Sequence, residues 1–148
     1  MNKFLNTMSK LLLDTMIYID FINAEKYQEW VYVKDYTTRI YLSGIVLLEL
    51  YIGARTQGEI HKIDNLQRSF EKRKRIVLPA NRDYILAGQI LAQLQRTKGY
   101  DLKKCYWLQN DVLIALTARR IGATVVTANR RDYEEIRAIR DFSLQVVS

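Results

Sequence analysis

Three acids stand where this chain gathers its candidate chemistry: Asp14, Glu49 and Asp111. Asp14 closes the apolar run Lys10-Leu-Leu-Leu13. Glu49 interrupts the apolar stretch Ile45-Val-Leu-Leu-Glu49-Leu-Tyr-Ile52. Asp111 opens an apolar body over residues 112–118. A fourth polar position, Asn129, follows the β-branched run Ala123-Thr-Val-Val-Thr127, with Arg130, Arg131 and then Asp132 just after it. A lone carboxylate inside an apolar helix is costly unless it is paired, protonated or bound to a cation. If the three acids converge, charges about 4 Å apart repel by roughly 4 kcal/mol at an effective dielectric near 20. Such a cluster needs a counter-charge. Carboxylates with no His or Cys nearby suit hard, oxygen-seeking ions, Mg²⁺ or Mn²⁺. An ion held there can orient and polarise a phosphodiester and activate a water for attack on phosphorus. Each acid also has a plainer role open to it. Asp14 reads as a helix cap, Glu49 as a partner for Arg55 or another base, and Asp111 as a dipole partner in a first turn.

These side chains depend on the elements that carry them. Residues 10–13 read as a short buried strand, and Asp14 or Thr15 caps a helix running through Phe21 toward Val33. Residues 39–42 read as a second strand. Ser43 caps a helix over 44–54 that is apolar almost all round, a pattern usual for buried helices. A polar helix spans 59–74, and a strand over 76–78 is closed by Pro79. Asn81 caps a helix ended by Gly99, a loop covers 100–108, and Asn110 caps a helix ended by Gly122. Residues 123–127 form a strand, 132–139 a short helix and 143–147 a last strand. The alternation predicts an α/β fold: a three-layer α/β/α sandwich with a central, mainly parallel sheet. Ligands in such sheets bind outside the carboxyl ends of the strands, which is where Asp14 and Asn129 fall.

Composition narrows the classes. The 148 residues fit one domain, and 49% hydrophobic content supplies a core. Residues 1–9 read as a loose leader. A single cysteine, Cys105, excludes an internal disulfide framework and a cysteine-based zinc site. The apolar stretch over 11–22 is interrupted by Asp14 and Asp20 and is too short to span a bilayer; the chain reads as cytoplasmic. The net charge of +7 suits a polyanionic or acidic partner. Residues 55–75 alone carry seven bases and three acids, ending in Lys72-Arg73-Lys74-Arg75. Tyr100, Tyr106 and Trp107 flank Lys103 and Lys104, an arrangement open to base stacking or to packing. His61 is the only histidine, and no Gly-rich phosphate loop is present.

On four segments the chain resembles the PIN-domain family, and within it the VapC-type toxins of bacterial and archaeal toxin–antitoxin pairs. They are Leu11-Leu-Leu-Asp14-Thr-Met-Ile-Tyr18; Leu42-Ser43-Gly-Ile-Val-Leu-Leu-Glu49-Leu-Tyr-Ile-Gly53; Asn110-Asp111-Val-Leu-Ile-Ala115-Leu-Thr-Ala118; and Ala123-Thr-Val-Val-Thr127-Ala-Asn129-Arg-Arg-Asp132-Tyr133. The resemblance implies a metal-dependent endoribonuclease with Asp14, Glu49 and Asp111 as the carboxylates around Mg²⁺ or Mn²⁺. The fourth acidic place of many relatives falls at Asn129, which brings no charge, so Asp132 is the candidate auxiliary. Thr127 matches the family's hydroxyl at the strand end, and Arg130 and Arg131 are candidate phosphate contacts. The resemblance further implies structured RNA such as tRNA or rRNA as target, a cognate antitoxin covering the acidic groove, and a homodimer. Two other readings stay open: a PIN module that binds RNA or protein without cutting, and a housekeeping nuclease of RNA maturation.

Overall fold

A computed structural model of the chain describes residues 9–33 and 36–148. Most of the expected leader lies outside the described residues, while Ser9 opens the first strand. Among the described residues five strands form one sheet: β1 (Ser9–Leu13), β2 (Thr38–Ser43), β3 (Ile76–Val77), β4 (Ala123–Thr127) and β5 (Leu144–Val146). Every pairing is parallel, and the order is β3-β2-β1-β4-β5. Leu11 is in register with Ile40 on one side and Thr124 on the other. Successive strand residues point to opposite faces. Leu12 and Leu13 are both fully buried, as are Val125 and Val126, so both faces of the sheet are covered. The expected three-layer sandwich is therefore borne out. No helix among the described residues is long and apolar enough to cross a membrane.

The described residues form seven helices around the sheet: α1 (Thr15–Ala24), α2 (Gln28–Val31), α3 (Gly44–Gly53), α4 (Gln57–Lys72), α5 (Asn81–Lys98), α6 (Tyr106–Ile121) and α7 (Arg130–Ile139). Helices α1, α3 and α4 pack in sequence on one another, and α5, α6 and α7 do the same. Caps account for most boundaries. Ser43 accepts from the Ile45 N–H at 3.0 Å, and Thr56 and Glu59 close a reciprocal capping box on α4. Gly99 and Gly122 end α5 and α6 at φ of 70° and 72°, backbone that suits glycine.

Four expectations need correction. The helix expected toward Val33 stops at Ala24, because Glu25 and Tyr27 turn left-handed at φ 53° and 63° before the short α2. Ala80 occupies the cap position of α5, not Asn81; its N–H donates to Asp83 Oδ2 at 2.8 Å. Helix α6 begins at Tyr106, so Asn110 lies inside it and Asp111 is in its second turn. Leu108, fully buried, anchors that extra turn in the core. Finally, α3 is not buried all round. Val46 and Leu50 face the core, while Leu48 is 54% exposed and Ile52 75%. An apolar outer face on a short helix leaves a hydrophobic patch on the surface.

Candidate active site

Asp14 sits just past β1, the central strand, and donates its own N–H to the Val126 carbonyl at 2.9 Å. It is the N-cap of α1, as its plainer reading required. Its carboxylate is buried and satisfied from three directions. Oδ1 accepts from the Thr15 N–H at 2.8 Å and from the Tyr133 hydroxyl at 3.2 Å. Oδ2 accepts from the Thr127 hydroxyl at 2.8 Å. Strand β4 brings Thr127 alongside β1, and α7 turns Tyr133 inward beneath it.

Asp111 is buried on α6, and its Oδ1 lies 3.4 Å from the same Tyr133 hydroxyl. The two carboxylates thus face each other across one OH group. Glu49, half-buried on α3, accepts from the Thr15 hydroxyl at 2.7 Å. Thr15 therefore touches two acids, Asp14 through its N–H and Glu49 through its side chain. Glu49 does not take the arginine partner considered for it. Among the described residues, no ion pair reaches any of the three acids.

The uncompensated charge shows in the protonation equilibria. Burial pushes the Asp14 carboxyl above its ordinary range, while hydrogen bonds from Thr127, Thr15 and Tyr133 pull it back. Asp111 is pushed up to about 9, first by burial and then by the charges of Asp14, Glu49 and Asp132. Burial and the neighbouring carboxylates likewise hold the Tyr133 hydroxyl firmly protonated. In the metal-free protein at neutral pH, the Asp14–Asp111 pair therefore retains a proton.

The remaining predicted residues form the rim. Asn129 is the N-cap of α7; its amide donates to Asp132 Oδ2 at 3.0 Å and its N–H to the Thr127 hydroxyl at 3.0 Å. Asp132 also receives the Tyr100 hydroxyl at 3.1 Å, and the same hydroxyl reaches Glu135. Asp132 is near enough to raise the Asp111 carboxyl, so it adjoins the cluster. Thr127 is fully buried, and its hydroxyl donates to Asp14 while accepting from the Asn129 N–H. Arg130 and Arg131 are exposed, and Arg130 pairs with Glu134 at 3.3 Å on its own helix. Sequence reasoning offered Thr15 only as a helix cap and Tyr100 only for base stacking or packing, and it did not single out the Tyr133 hydroxyl. The one available signal was Tyr133 at helical spacing from the buried Ile136 on α7, which marks an inward face and says nothing of its polar end.

Among the described residues, no group of three or more His, Cys, Asp or Glu side chains is disposed as a ready metal cage. The acids meet through the hydroxyls of Thr15 and Tyr133. Their chemistry still fits a hard divalent cation: the donors are all oxygen, desolvated and short of positive charge. A separate groove of about 1080 Å³ lies away from the acids, between α1, α2, β2 and α4. Phe21, Val31 and Leu66 are among its apolar lining, with Lys62, Arg73 and Arg75 among its charged residues.

Comparison with known proteins agrees with this architecture. A family model described as PIN domain matches residues 11–139. No curated protein matches the chain by sequence. Among solved structures, VapBC from Salmonella typhimurium, bound to DNA, is similar with a TM-score of 0.66 and 25% identity, over 94% of this chain and 98% of that one. VapBC2 from Rickettsia felis, bound to a DNA fragment from its promoter, gives 0.67 and 24%, over 94% and 99%. VapBC-5 from Mycobacterium tuberculosis, a member of the VapBC family of toxin–antitoxin systems, gives 0.56 and 14%, over 94% and 98%.

Proposed function

The chain belongs to the PIN-domain family, and on that premise we propose that it is a divalent-metal-dependent endoribonuclease that hydrolyses RNA phosphodiester bonds as the toxin of a toxin–antitoxin pair. One observation carries the reading: the buried Asp14 and Asp111 share the Tyr133 hydroxyl, the half-buried Glu49 joins Asp14 through Thr15, and none of the three has an ion pair among the described residues. Such a cluster holds a proton or takes a counter-charge from elsewhere, and a divalent cation supplies the latter.

Asp14, Asp111 and Glu49 would hold Mg²⁺ or Mn²⁺, with Asn129 and Asp132 as auxiliaries. The bound ion supplies Lewis acidity toward the phosphate and lowers the pKa of a water. The chain's own residues do the rest. Thr127, the Thr15 N–H and Tyr133 fix the Asp14 carboxylate. The Thr15 hydroxyl fixes Glu49 through Oε1. Glu49 is the least buried of the three acids, and its Oε2 is the place for a proton leaving an attacking water. Arg130 and Arg131, exposed beside the site, suit contact with the RNA backbone.

The toxin assignment rests on similarity to VapBC structures, among them one described as a toxin–antitoxin member. The cognate antitoxin would cover the acidic groove, and the separate groove between α1, α2, β2 and α4, lined by apolar and charged residues, is a second surface open to it. The exposed Leu48 and Ile52 of α3 are the surface that a homodimer would cover. A non-cleaving PIN module is the second reading, favoured by the uncharged Asn129. The deciding experiment incubates purified protein with RNA and Mg²⁺. Cleavage should appear with the wild type and vanish with EDTA or with Asp14→Asn. Undiminished cleavage in EDTA overturns the metal mechanism, and no cleavage by a wild type that binds RNA supports the second reading.

A further inference from the structure

The least expected group in the acidic cluster is a phenol. Tyr133 is fully buried on α7, and its ring packs edge-on against Phe142 at a centroid distance of 6.4 Å. Its hydroxyl reaches 3.2 Å to Asp14 Oδ1 and 3.4 Å to Asp111 Oδ1. A tyrosine hydroxyl has a single proton to donate, so it serves one carboxylate at a time while standing between both. The two acids depend on it unequally. Asp14 has the Thr127 hydroxyl and the Thr15 N–H as well. For Asp111, Tyr133 is the hydrogen-bond partner among the described residues. Without that hydroxyl, nothing among these contacts orients the Asp111 carboxyl toward Asp14.

We propose that Tyr133 is a positioning residue of this site: its buried hydroxyl, shared between Oδ1 of Asp14 and Oδ1 of Asp111, sets the approach of the two carboxylates and so the affinity for a divalent cation. A carboxylate has about four lone-pair directions, so each acid can bind an ion while still facing the hydroxyl. Partners of this kind, which hold ligands without touching the metal, typically change affinity ten- to a hundredfold when removed. The opposite outcome has a definite physical meaning. If the hydroxyl competes with the ion for lone pairs, its removal tightens binding.

The inference rests on the reading of the acids as a cation site, and a titration without RNA separates the two. Mn²⁺ binding to the full chain is measured by the loss of the free-ion electron paramagnetic resonance signal, for wild type, Tyr133→Phe and Thr127→Val. Phe keeps the ring and its contact with Phe142, so the fold is retained, and circular dichroism checks it. The expected result is Mn²⁺ affinity weakened roughly tenfold or more in Tyr133→Phe. Thr127→Val should weaken it less, because Asp14 keeps two other donors. Unchanged or tighter binding by a folded Tyr133→Phe overturns this inference alone. Absence of Mn²⁺ binding by the wild type overturns the cation site and this inference with it. Wild type labelled at the tyrosine ζ carbon gives an independent reading by NMR. Mg²⁺ should shift the resonance of a buried tyrosine, and silence of all the buried tyrosines counts against the proposal.

Discussion

Among the described residues two places bury aspartates, and they treat the charge in opposite ways. Asp83, in the first turn of α5, is 3% exposed and meets the Arg120 guanidinium at 2.9 Å. Arg120 also donates to the Leu78 carbonyl at 2.7 Å, so it ties α6 to the chain just after β3. Asp14 and Asp111 are buried to a similar degree, yet only neutral donors and other acids surround them. The first site is complete as folded. On the proposed reading, a charge from outside completes the second. Burial alone therefore does not separate the two places; the presence or absence of the protein's own cation does.

The comparison breaks most sharply in activity. Asp111→Asn should cost cleavage about a thousandfold, since a metal contributes several kcal/mol to such a step, whereas Asp83→Asn should leave the chemical step intact in protein that folds. Equal losses in single-turnover assays would dissolve the contrast.

The next largest effect concerns pH. The Asp111 carboxyl is pushed up to about 9 in the folded, metal-free protein, against an ordinary 3.8. Between those values the folded state binds more protons than the unfolded one, so stability falls as pH rises and levels off above the window. For one proton the slope reaches about 1.4 kcal/mol per pH unit. Urea unfolding across the window should show this decline, and both Asp111→Asn and saturating Mg²⁺ should flatten it. A wild type whose stability is flat without metal would contradict the account.

A smaller effect sharpens the other side. Arg120→Met strands the buried Asp83 and should destabilise the fold by about 2 kcal/mol, less than a fully buried pair because Arg120 is partly exposed. Mn²⁺ affinity of the folded protein should not move. The smallest effect is expected from Asn129→Asp. The new carboxylate replaces an amide that donates to Asp132 at 3.0 Å, costing about 1 kcal/mol without metal and tightening Mn²⁺ binding in return. Calorimetric titration at fixed pH measures both.

Where local pattern carried the information, the sequence was readable. The run before Asp14, the Ser43 cap and the β-branched approach to Thr127 each declare their element, and each delivers a residue to the site. Boundaries without a side-chain signal were not readable. Tyr106 to Gln109 join α6 with Cys105 making no capping bond. The break after Ala24 uses positive φ at Glu25 and Tyr27, where glycine would have announced it. The outer face of α3 was misread because a helix apolar on every side carries no directional pattern. Tyr133 was missed for a related reason: a tyrosine on an inward helix face reads as core, and only the fold reveals that its hydroxyl ends among acids.

The order of the strands has a consequence for how the chain comes into being. β1 lies between β2 and β4, so its second neighbour is made more than a hundred residues after it. Asp14 leaves a ribosome well before Thr127 and Tyr133, which secure it. Pairings of such long range form late in folding. A nascent chain therefore carries Asp14 long before the residues that secure it exist, and on the proposed reading hydrolytic competence arrives only with β4 and α7.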